Sequence, residues 1–207
     1  MFDEETASLW SALEGAPVVG PLVGSGIRLP FHAVVTTTWA EWKREHPSTT
    51  VLSLDTGFTR DYSEGAAYRD YFSSDRLMFE VPVTDTRLKN KAEVVVLRPG
   101  ALGANSMPLA IAADRLRRTP VFSFKHDGQR LVAITSKAGA NRIYLRRTHE
   151  FRSRESDGTV VDSAGGRWRV TSGALVSTAG EALPAVPTHR VFWFGWIAQH
   201  PLSALIR

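Results

Sequence analysis

A duplication constrains this chain more than any other feature. Residues Trp39-Ala40-Glu41-Trp42-Lys43-Arg44-Glu45-His46-Pro47 recur as Trp193-Phe194-Gly195-Trp196-Ile197-Ala198-Gln199-His200-Pro201 at an offset of 154, with two tryptophans, the histidine and the proline in register. Leu29-Pro30 matches Leu183-Pro184 at the same offset, and Trp10 and Gly15 match Trp168 and Gly173 at 158. Self-similarity at a fixed spacing signals units that fold alike. Aligning the copies sets Met1 near Thr159, so the first copy corresponds only to the later part of a unit whose full version is residues 91–207. The expected organisation is a first repeat unit truncated at its front plus a Tyr-rich connecting segment over residues 1–90, and a complete second unit over 91–207, packed as one body.

Local signals give the elements. Thr38 and Glu41 form a Thr-x-x-Glu capping box and Pro47 is a stop, which predicts a short helix over residues 39–46 with Trp39 and Trp42 on one face. Residues 192–200 are the equivalent helix. Large aromatics at helical spacing beside apolar neighbours read as a core face more readily than as a stacking platform for bases or sugars, so both Trp pairs are expected inside. Residues 93–97 read as a strand, Pro99-Gly100 as a turn, and Ser106 with Pro108 as the opening of a helix running to Leu116. Extended runs at 121–124, 131–136 and 142–151, separated by Gly-containing turns, form a meander. The expected class is β-rich α+β, with two related units of mainly antiparallel strands and short helices.

Composition removes several kinds of chemistry. The chain has no cysteine, which excludes disulfides, thiol nucleophiles and cysteine-ligated metal or iron–sulfur sites. Its longest apolar runs, such as residues 191–198, are too short to span a bilayer. The N-terminal Met1-Phe2-Asp3-Glu4-Glu5 holds three acids where a secretory signal needs positive charge, so no signal peptide is expected in this chain; a longer precursor is compatible with export. Charge is unevenly spread, at −4 over residues 1–100 and +8 over residues 101–207, so an anionic partner would meet the second half.

The histidines, His32, His46, His126, His149, His189 and His200, show no helical i,i+4 pair and no His-x-His, so no metal is expected. His46 and His200 each precede a proline at a helix end, where an imidazole suits the last carbonyls and the dipole. No nucleophile elbow or phosphate loop is present, and neither catalytic residues nor cofactors are expected. Arg142, Tyr144, Arg146, Arg152 and Arg154 share parity in an extended run; Arg142, Arg146, Arg152 and Arg154 are the candidate anion-binding set, against the reading of a solvated basic face. Glu150 shares that side and no nucleic-acid-binding motif accompanies it, so nucleic acid is disfavoured. Asp55, Arg60, Tyr62, Tyr68 and Tyr71 lie in a stretch without periodicity and are the candidate ligand-binding set, against the reading of a surface loop tied down by tyrosines.

These pieces together resemble a family. Asp3 to Trp10, Gly20-Pro21-Leu22, Thr38-Trp39-Ala40-Glu41-Trp42, His46-Pro47, Asp55-Thr56-Gly57, Arg60-Asp61-Tyr62, Tyr68 and Tyr71 look like a prokaryotic domain-of-unknown-function family whose longer members carry an upstream Cys-Pro-Leu-Cys segment. Trp193-Phe194-Gly195-Trp196 with His200-Pro201 is similar to that family's C-terminal end. The resemblance covers nearly the whole chain, which begins just after the place of the cysteine segment. It implies that any metal or redox role of those cysteines is absent from these residues, and it supplies no activity to transfer. The residues favour a non-catalytic binding or assembly module, with a protein partner or self-association through the truncated first unit. The alternative is an enzyme or enzyme remnant with its pocket at Asp55 to Tyr71.

Overall fold

The computed structural model describes all residues, 1–207. They form two compact units, Met1–His32 and Ala33–Arg207. In the first, β1 (Phe2–Asp3), β2 (Ser8–Ser11) and β3 (Ala16–Val19) make an antiparallel sheet in sequential order.

The second unit holds three sheets and four short helices. Helices α1 (Trp39–Glu45) and α2 (Arg69–Phe72) come first. Strands β4 (Glu93–Leu97) and β5 (Leu109–Ala112) pair antiparallel and are followed by α3 (Ala113–Arg118). Next, β6 (Val121–His126), β7 (Gln129–Thr135) and β8 (Asn141–Leu145) form a meander. A second meander, β9 (Phe151–Arg154) through β10 (Val160–Asp162), β11 (Arg167–Val170), β12 (Ala174–Ser177) and β13 (Ala182–Pro184), makes the five-stranded sheet. The chain closes with β14 (His189–Phe192), α4 (Trp193–Gln199) and β15 (Ala204–Ile206), which give the third sheet its order β14-β4-β5-β15. The protein is β-rich α+β with mostly antiparallel strands; only β15 and β5 pair in parallel.

Period-two alternation sorts the core into layers. In β7, Leu131 and Ala133 join Val95, Leu97, Leu109 and Ile111 on one side. Their neighbours Val132 and Ile134 join Trp168, Leu175 and Leu183 on the other. In β4 the opposite pair, Val94 and Val96, packs with Ala110 against Trp193, Trp196 and Ile197 of α4. The β6–β7–β8 sheet is thus apolar on both faces. Its hairpins are closed by turns of defined chemistry: Asp127-Gly128, both at positive φ, join β6 to β7, and Gly139 at φ +87° lets Ser136 and Ala140 close the loop from β7 to β8. The Asp-Gly pair fits the two-residue hairpin whose twist matches that of the flanking strands.

Two expectations need correction. Residues 109–112 are not helical: Leu109–Ala112 is a strand, and helix begins only at Ala113. The Pro108 start signal is outweighed because Leu-Ala-Ile-Ala is buried between β4 and β15. Residues 142–151 are not one extended run, because the chain turns at Arg147, at φ +50°, and a new strand starts at Phe151.

The two Trp-x-x-Trp segments both fold as helices, with near-identical flanking dihedrals. Thr38 has φ −79° and ψ 154° where Phe192 has −77° and 147°, and His46 and His200 agree within a few degrees. Each histidine ring packs on the tryptophan one turn back, at 4.0 Å for Trp42–His46 and 4.1 Å for Trp196–His200. Each indole donates seven residues on, Trp42 Nε1 to Thr49 Oγ1 and Trp196 Nε1 to Ser203 Oγ. Burial separates them. Trp193 and Trp196 are 0% exposed, whereas Trp39 is 51% and Trp42 41% exposed, so the expected inward packing holds for the second pair and not the first.

Truncating Trp196 to Ala is expected to cost about 3–5 kcal/mol, as for other fully buried aromatics. The same change at Trp42 should cost about 1 kcal/mol, the scale of a half-exposed site. Urea denaturation of both variants against the parent checks the difference.

Candidate functional site

Helix α1 turns two acids toward the meander. Thr38 Oγ1 accepts from the Glu41 backbone N at 3.3 Å, which starts the helix. The Glu41 side chain points inward, is only 3% exposed, and accepts from Ser136 Oγ at 2.7 Å. Glu45 lies on the same face one turn later. Between them sits Arg142 of β8, its Nη1 3.6 Å from Glu41 Oε1 and its Nη2 3.5 Å from Glu45 Oε2. Arg142 is nearly fully buried, and its Nε has no hydrogen-bond partner. A guanidinium has five N–H donors, so this one is paired in charge but under-satisfied in hydrogen bonds.

This cluster borders a cleft of about 640 Å³. Glu41, Arg44 and Glu45 line one wall, Ser136, Lys137 and Ala138 the β7–β8 turn, and Arg154 with residues 156–159 the β9–β10 loop; Arg142, Ile134, Arg169 and Val170 complete it. The volume falls in the range of small-molecule sites. Asp157 is held below the usual carboxylate range by hydrogen bonds from Thr159, backbone first, and by the Arg167 charge. Tyr144, next to Ile143 on β8, has its phenol pushed up by burial and donates to the Thr171 carbonyl oxygen.

Of the four arginines picked out in the sequence, Arg142 and Arg154 meet at this cleft. Arg146 does not: it is buried in a separate turn, with Nη1 bonded to the His149 carbonyl at 2.5 Å and 2.6 Å from Glu150 Oε1. Arg152 is exposed and lines nothing here. The turn at Arg147 breaks the extended run, so equal parity does not put all four on one side. Asp55, Arg60, Tyr62 and Tyr68 stand on an exposed segment, where Thr56 Oγ1 and the Tyr62 hydroxyl are 2.8 Å apart and Arg60 covers the Phe58 ring. Tyr71 is half-buried, with Lys91 Nζ 3.6 Å from its ring centre. None of these five lines the cleft. Sequence reasoning missed Arg44, Glu45, Lys137, Asp157 and Arg169, and it saw Glu41 only as a capping residue. Only Glu41 and Glu45, one turn apart, leave a local signal.

Two other polar clusters serve the fold. Asp162 accepts from Trp168 Nε1 at 2.9 Å and from the Ala164 and Gly166 backbone at 2.9 and 2.7 Å, which anchors the β10–β11 turn. His149 bridges from it toward Glu181, 3.2 Å away. His189 on β14 is pushed down to about 4 by burial, reinforced by the charges of Arg98 and His200. No three His, Asp or Glu side chains converge in a metal-binding arrangement, and no helix is long and apolar enough to cross a membrane.

A layered β-rich fold with a cleft lined by five cationic and three acidic side chains is the kind of protein these observations define. The chain matches the model of the Protein of unknown function family DUF3179 over residues 1–203, and it belongs to that family. No curated protein and no solved structure matches it.

Glu41→Ala should destabilise the fold by about 3 kcal/mol, because it leaves the buried Arg142 charge with only the partly exposed Glu45 and removes the acceptor of Ser136, whereas pairing Glu41→Leu with Arg142→Met should recover much of that loss. Chemical denaturation of the two variants against the parent measures both. His189 adds a pH dependence. Its folded pKa lies below its ordinary 6.5, so the unfolded chain takes up the proton first. Stability should be complete above 6.5 and fall toward pH 4, with a shallower fall in His189→Gln, as read by thermal melts across that window.

Proposed function

We propose that this protein is a non-catalytic binding and assembly module in which the half-exposed tryptophans of α1 and the segment after it are covered by strands from another polypeptide, a second copy in the simplest case. One observation carries the reading: α1 and α4 share the backbone geometry of their ends, their Trp–His packing and their indole hydrogen bonds, yet only α4 has both tryptophans buried. What covers α4 is β4 and β5, through Val94, Val96 and Ala110. The segment after α1 tells the same story. Ala204 and Leu205, at the start of β15, pair with Leu109 and Ala110 of β5; Val51 and Leu52, at nearly the same distance past Pro47, are 70% and 94% exposed. An apolar segment outside any sheet and a Trp face left half in water are features that protein partners use. Edge-strand addition supplies both backbone hydrogen bonds and pockets for alternate side chains.

Sedimentation across a concentration series tests this. The expected result is reversible association that Leu52→Glu abolishes while the circular dichroism spectrum stays unchanged. A chain that remains monomeric up to about 100 μM, a regime where even weak specific contacts populate, with Trp39 and Trp42 emission independent of concentration, overturns the reading.

A further inference from the structure

We propose that the cleft between α1, the β7–β8 turn and the β9–β10 loop is a binding site for a small organic anion bearing carboxylate or phosphate oxygens. Charge allocation is what points there. Five cations line the cleft, Arg44, Lys137, Arg142, Arg154 and Arg169, with three acids, Glu41, Glu45 and Asp157. Every acid is already engaged: Glu41 and Glu45 face Arg142, and Asp157 accepts from the Thr159 backbone at 2.8 Å and lies 3.8 Å from Arg167. Four cations are left over, since Arg44, Lys137, Arg154 and Arg169 have no ion-pair partner. Elsewhere on the same sheet, Arg167 is held by Glu155 at 2.5 Å, so unpaired arginine is not the rule in this unit.

Burial adds a second reason. Arg142 and Arg154 both have a buried Nε without a hydrogen-bond partner. Under-satisfied buried donors carry a cost that an arriving oxyanion reduces, because charge-assisted hydrogen bonds to the guanidinium nitrogens are stronger than neutral ones. Arg142 is the fixed floor, since its neighbours Asn141 and Ile143 are locked into β8. Arg154 and Arg169 come from β9 and β11, the two strands that flank β10, while Arg44 comes from α1 and Lys137 from the β7–β8 turn. Ile134 and Val170 give the apolar part of the lining, which suits the carbon frame of an organic anion rather than a bare inorganic ion.

Isothermal titration of the intact chain with citrate and with pyrophosphate, at low and at physiological salt, distinguishes the two oxygen chemistries by which binds tighter. Arg154→Ala and Arg169→Ala are each expected to weaken the tighter probe by about tenfold or more, whereas Arg152→Ala, exposed and outside the cleft, leaves it unchanged. Thermal melts establish that the variants stay folded. Two results overturn the proposal: no binding of either probe up to about 10 mM, or equal weakening by Arg152→Ala, which would make the attraction a diffuse property of the basic half.

Discussion

The β6–β7–β8 sheet is buried on both of its faces, and the rest of the second unit is arranged around that fact. Alternate residues of β7 serve two different cores, Leu131 and Ala133 on one side and Val132 and Ile134 on the other. The sheet β14-β4-β5-β15 and the five-stranded meander each cover one face, and α4 closes the outer side of the former. An antiparallel sheet with no wet face is less common than the half-solvated kind. It leaves strand ends and turns as the places where polar side chains of β8 can gather. Arg142 is therefore at the edge of a core, close to Ile143 and Tyr144, yet able to line a cleft.

What the sequence revealed was mostly local. The helix at α1 followed from Thr38 and Pro47, the strand at β4 from an unbroken Val run, and the hairpins from Asp127-Gly128 and Gly139. The resemblance to a family of unknown function, drawn from the Trp and His-Pro segments together with Asp3 to Trp10, Gly20-Pro21-Leu22 and the Asp55 to Tyr71 stretch, agrees with the family match. What was hidden depended on partners distant in sequence. Leu109–Ala112 has the composition of either a helix or a buried strand, and pairing with residues 94–97 and 204–206 decided it. The parity of Arg142 to Arg154 counted residues correctly across a turn it did not see. Glu41 reads as half of a capping box, and only the position of Ser136 and Arg142, about a hundred residues on, gives its carboxylate another task.

The paired helices separate two effects usually seen together. Their flanking backbone dihedrals, ring packing and indole bonds are set within a dozen residues and come out alike. Their burial is set by β4 and β5 and comes out opposite. A helix of seven residues is too short to hold itself by propensity alone. For α1, the inward anchors are polar: Glu41 to Ser136 and Arg142, and Glu45 to Arg142, in place of the indoles that anchor α4. The same acids that shape the cleft thereby attach the helix.

Two-sided burial also changes what keeps the strands in step. In a sheet with one wet face, a slip of one residue exposes apolar groups and buries polar ones, and that penalty guards the pairing. For residues 131–134 of β7 the penalty vanishes, because Leu, Val, Ala and Ile would trade one dry side for the other. Alignment must then be enforced from the ends. The two-residue Asp127-Gly128 link and the Ser136–Gly139–Ala140 loop do so by fixing how many residues separate paired positions. In this molecule a few turn residues act as the ruler for the core.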